Sequence, residues 1–149
     1  MADPVLLILL VLHVAVAATA FGITLPSNGA MKRAAGQSRE VKAAAAALVN
    51  RSGMLASIFG LSTFITGLVL IFYRGGFKVV SPTIHAGMGL VLVMILIGAF
   101  FMKPTGQRIA AAVDQGEEAW SAARKRFAMG DGIMQLLWVI VLVLMFVRV

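Results

Sequence analysis

Four long uncharged apolar runs alternate with polar connections along the chain, from about Pro4 to Thr24, Gly53 to Tyr73, Val79 to Met102 and Gly132 to Val147. Each has roughly the 17 to 25 residues a helix needs to cross a ~30 Å hydrocarbon core, the fourth run being the shortest. No strand-like alternation interrupts them. The pattern predicts an all-α fold: a single-domain integral membrane four-helix bundle over residues 1–149. Arg148 closes the fourth run, where a long basic side chain snorkels to the interface.

Smaller signals refine the elements. Leu25-Pro26-Ser27-Asn28-Gly29 is rich in turn formers and predicts the end of the first helix. Lys42-Ala43-Ala44-Ala45-Ala46-Ala47 repeats the strongest helix former and predicts an extension of the second helix below its apolar run. Between the third and fourth runs, Ile109, Val113, Trp120 and Phe127 alternate with Asp114, Glu117, Glu118 and the Arg124-Lys125-Arg126 cluster. This spacing predicts an amphipathic helix lying near the membrane surface. Gly130-Asp131-Gly132 is then expected to break the pattern. Within the second run, Ala56, Gly60, Thr63 and Gly67 fall on one face and predict a packing seam. Ser57, Ser62 and Thr66 are expected to bond back to their own helix, and Gln135 to bond across helices.

Composition agrees with this pattern: 60% of the residues are hydrophobic and 13% charged, and the mean hydropathy is +0.97. The net charge of +7 matters less than its location. Lys32, Arg33, Arg39, Lys42 and Arg51 lie in the first connection, and Lys103, Arg108, Arg124, Lys125 and Arg126 in the third. The positive-inside rule makes both connections cytoplasmic and turns the two termini outward. No groove-reading motif accompanies the charge, so nucleic acid is not an expected partner. The first run ends in Ala18-Thr19-Ala20, which looks like a cleavage site. Asp3 stands where a signal peptide carries Lys or Arg, so the run is read as a retained helix.

Two polar residues stand out inside the runs, His13 and His85. An intramembrane imidazole is by default a functional hypothesis. The chain has no cysteine, which removes thiolate-held clusters and cysteine-anchored haem. Both histidines fall in the outer half of helices that run parallel, at ~13 Å and ~9 Å from the start of their runs. Ala17 and Gly89 follow them at i+4 and leave lean surfaces. A flat macrocycle lying there, with one imidazole on each side of the iron, describes a b-type haem bound by His13 and His85. Rival readings are a structural histidine satisfied by hydrogen bonds, and copper, because His85 and Met88 form a soft pair on one face. No nucleophile with a base, phosphate loop or nucleotide fingerprint is present, which leans away from an enzyme.

Leu12-His13 with Phe21-Gly22, Arg51 with Thr66-Gly67, and Ile84-His85-Ala86 together resemble a superfamily of small four-helix bacterial membrane proteins. It includes the HemJ-type protoporphyrinogen oxidases and the membrane domain of CopD-type copper resistance proteins. The resemblance covers helices one to three. It implies a haem-associated or copper-associated bundle in which His13 and His85 match the family histidines. The oxidase pattern carries a lysine just after the histidine of the third helix, where this chain has Ala86-Gly87-Met88. That departure argues against porphyrinogen oxidation and leaves haem binding standing. The expected roles are therefore electron transfer or a redox subunit; a non-catalytic accessory subunit of a respiratory or photosynthetic complex; or copper or solute transport. The bilayer and a membrane protein partner, or a second copy of the chain, are the expected neighbours.

Overall fold

A computed structural model describes residues 3–146, and among them the fold is entirely helical. The elements are α1 (Pro4–Arg33), α2 (Arg39–Tyr73), α3 (Pro82–Ile97), a π-helical segment (Gly98–Met102), α4 (Lys103–Ala112) and α5 (Glu117–Phe146). α3, the π segment and α4 follow one another without a break, so the molecule has four long rods. All four are long and apolar enough to cross a membrane. Arg148 lies outside the described residues.

Each rod is longer than its apolar run. α2 has 35 residues, or about 52 Å at 1.5 Å per residue, against a hydrocarbon core of ~30 Å. The surplus lies at the end carrying the basic connections, and it has a core of its own. Met31, Ala34, Ala45, Ala46, Val49, Ile109, Ala112, Trp120, Ala123 and Phe127 are buried together there. A second core joins Ala17, Ala20, Val91, Met94, Trp138 and Val141 at the level of the apolar runs. The physics of the two differs. In water, burial of side chains the size of Ile109 is worth roughly 1.5–3 kcal/mol each. In lipid that force is absent and close packing of small residues takes its place.

Three expectations are corrected by this extension. The turn formers at Leu25–Gly29 do not end α1, which runs on to Arg33 with Pro26 inside it. Pro26 removes one backbone donor, and packing against α2, including a 2.8 Å bond between the buried hydroxyls of Ser27 and Ser52, holds the helix through it. The amphipathic surface helix is not a separate element. Ile109 belongs to α4 and Trp120 and Phe127 to α5, and their apolar faces close the extended core instead of lying on a bilayer. Nor does Gly130-Asp131-Gly132 break a helix; α5 passes straight through it. At Gly130 a Cβ would come within 2.6 Å of Met102 Sδ and 2.7 Å of Phe101 Cε1, so glycine there lets α5 and the π segment touch. The predicted extension of the second helix is present, since α2 begins at Arg39.

Backbone neighbours form a square: α1 lies against α2 and α5, and α3 against the same two. Across the diagonals, α1 and α3 do not approach one another among the described residues. The connections at the basic end are short turns through Gly36 and Gly116, both at positive φ (71° and 91°). They are tied by ion pairs from Arg39 to Asp114 (2.6 Å) and from Lys42 to Glu117 (2.5 Å). Glu117 also accepts from the Gly36 amide at 3.1 Å. It lies well below the apolar part of α5, and the Lys42 ammonium holds its carboxyl below the usual glutamate range. At the opposite end, Asp3 caps α1 by accepting from the Val5 amide and joins α2 by accepting from the Tyr73 hydroxyl at 2.8 Å.

Candidate functional site

His13 is the one buried residue in the first three turns of α1, between exposed Leu12 and Val14. Its ring turns toward α2. A Cβ on Gly67 would sit 3.2 Å from His13 Cε1, so glycine at 67 makes room for the imidazole. Nδ1 lies 2.8 Å from Thr66 Oγ1. The Thr66 hydroxyl donates its own proton to the Ser62 carbonyl at 2.8 Å, so the network assigns the proton between the two side chains to Nδ1, with Thr66 accepting. Thr66 thus bonds back to its helix as expected and in addition orients His13. The predicted α2 seam is partly realised. Thr63 is buried and Gly67 meets the ring, while nothing lies within 4 Å of a Cβ at Gly60.

His85 has a different setting. It occupies the first turn of α3, beside the Phe77 ring at 5.8 Å between centroids, and it is exposed. Its Nδ1 is 3.1 Å from the Ser81 carbonyl. A carbonyl only accepts, so Nδ1 carries a proton, and in the neutral ring the lone pair is on Nε2. Gly89, one turn on, is exposed too, whereas α3 buries Gly87, Val91 and Met94. At 100° per residue the His85 and Gly89 stripe is opposite that buried stripe.

The two histidines therefore do not share a site within one chain. Ala17 joins His13 on the inward face of α1 and contributes to the core with Ala20. His85 and Gly89 face away from the bundle. Each ring has the tautomer that metal-binding imidazoles use, with Nδ1–H fixed by a neighbour. Among the described residues, no group of three or more His, Asp and Glu side chains converges as a metal site.

One buried polar group has no counterpart among the expected site residues. Asp131 on α5 is 3% exposed. Trp120, Ala123, Phe127, Asp131, Trp138 and Val141 form the buried face of α5, so the carboxylate sits in the core line between the two apolar clusters. The amide of Gln135 donates to it at 3.1 Å; Gln135 bonds along its own helix, not across to another as expected. The flanking glycines make Asp131 a turn residue by local sequence. Its register, four residues after Phe127 and seven before Trp138, is the sequence signal for the interior position.

Fold and site together define a multi-pass helical membrane protein with a sequestered histidine, an outward histidine and a buried acid. Comparison with protein-family models, with curated proteins and with solved structures finds no match to this chain.

Proposed function

We propose that this protein is a redox subunit of a membrane assembly that holds a b-type haem through His85. The observation that carries this reading is the outward His85 ring, whose Nδ1 is committed to the Ser81 carbonyl and whose Nε2 is free to ligate iron. Gly89 one turn away presents no side chain to obstruct a flat macrocycle. His85 would thus be this chain's ligand to the haem iron. His13, turned into the α1–α2 contact, does not fit as the second ligand of the same iron.

A neighbouring chain would then supply the remaining protein contacts to the haem. Such a haem would supply one-electron transfer, and the chain's share is to ligate, to orient through Ser81, and to exclude water with apolar helix surface. The charge bias supports a placement with the basic end in the cytoplasm and both termini outside. A reduced-minus-oxidised spectrum of the purified assembly tests the proposal. The expected result is b-type bands that disappear in His85→Ala and persist in His13→Ala. Absence of bands in wild type from haem-replete cells, or bands unaltered in His85→Ala, refutes it.

A second reading is a non-catalytic accessory subunit without a cofactor. It is favoured by the outward apolar stripe of α1, where Ile8 is 66% and Val11 60% exposed, because such a stripe fits a neighbouring helix as well as lipid. Stable co-purification of fixed partners with no haem bands would select it.

A further inference from the structure

We propose that Asp131 is a proton-binding site within the bundle, loaded from the basic end. A carboxylate this buried is costly to hold ionised without a cation, and such residues inside membrane bundles mark ion and proton sites. Asp131 is 3% exposed, and no cation lies within ion-pair distance of it among the described residues. Its hydrogen-bond partner is the uncharged amide of Gln135.

The neighbours on every side are uncharged at this level. α1 has no titratable residue between His13 and Lys32, α2 none between Arg51 and Tyr73, and α3 with the π segment none between His85 and Lys103. Arg51 and Lys103 are exposed. On α5 itself the nearest cation is Arg126, ~7.5 Å lower along the axis. It is engaged elsewhere: Nε donates to Thr105 Oγ1 at 3.3 Å and the guanidinium lies 4.7 Å above the Phe101 ring. A cation held by the carboxylate would need several further oxygen ligands. The Gln135 amide is a single neutral partner, able to donate to the carboxylate and, turned over, to accept from the protonated acid.

Toward the basic end, one level below Asp131, Arg126 on the same helix donates to the buried Thr105 hydroxyl. A proton passes from water at the basic end to the Asp131 carboxylate and returns the same way. No bond besides O–H forms or breaks. Above Asp131, α5 offers Gln135 and then the apolar Trp138 and Val141.

Infrared spectroscopy of the full-length protein in lipid nanodiscs, titrated against pH, tests the proposal. The expected result is a component of the protonated-carboxyl stretch that titrates, is missing from Asp131→Asn and shifts in frequency in Gln135→Leu, whereas the bands of the five other Asp and Glu side chains are common to all three proteins. Asn is nearly isosteric with the neutral acid, and circular dichroism checks its fold. If Asp131→Asn does not fold, the shift in Gln135→Leu carries the test. No protonated-carboxyl component in the difference between wild type and folded Asp131→Asn, or a component indifferent to Gln135→Leu, overturns the proposal.

Discussion

Gly130 and Gly132 are two residues apart in the same helix and should respond in opposite directions to one added methyl group. Replacing a helical glycine with alanine gains about 1 kcal/mol of backbone propensity at either position. At Gly132 nothing lies within 4 Å of the new Cβ, so that gain stands alone. At Gly130 the Cβ would meet Met102 Sδ at 2.6 Å and two Phe101 ring atoms at 2.7 and 3.0 Å. Met102 is flexible and can withdraw its sulfur. The Phe101 ring is held beneath the Arg126 guanidinium and yields less. Overpacking of this kind costs about 1–3 kcal/mol. Gly132→Ala is therefore expected to be more stable than wild type by up to ~1 kcal/mol, and Gly130→Ala less stable than Gly132→Ala by about 1–3 kcal/mol. Reversible unfolding in mixed micelles, followed by Trp120 and Trp138 fluorescence and by circular dichroism, measures both. Equal stabilisation by the two substitutions would refute the close α5–π contact.

Thr66→Val removes the acceptor for His13 Nδ1 and leaves a buried donor unpaired, at a cost of about 1–3 kcal/mol. The double variant His13→Phe/Thr66→Val should lose less than the sum of the two single changes, and strict additivity in the same unfolding assay would count against the bond. Glu117, whose carboxyl Lys42 holds low, contributes stability that is complete above its unfolded pKa. That contribution is lost as pH falls through the lower folded value. Wild type should therefore lose stability in acid more than Glu117→Gln does, and parallel acid-unfolding curves would rule this out.

The run lengths placed four membrane helices because apolar length is a property of local sequence. They did not place the helix ends. Pro26 and the glycines flanking Asp131 carry local signals for turns and breaks, and tertiary packing overrides both: Ser27 meets Ser52, and Gly130 meets Phe101. The same override turned Ile109, Trp120 and Phe127 from an expected surface face into an interior one. A lone helix with that face would lie on a membrane, whereas four helices with such faces bury them together. For the histidines, helix choice and general position were legible, and helix rotation was not. Rotation is set by contacts such as the Gly67 notch that receives the His13 ring.

Because α2 is about 52 Å long against a hydrocarbon core of ~30 Å and its surplus lies at the basic end, the turns at Gly36 and Gly116 are expected to stand clear of lipid. They are the natural places for a protease cut or a short reporter insertion. Neither turn lies in either buried core, so labelling them from one side of a sealed vesicle would report which way the protein is inserted while leaving both cores intact.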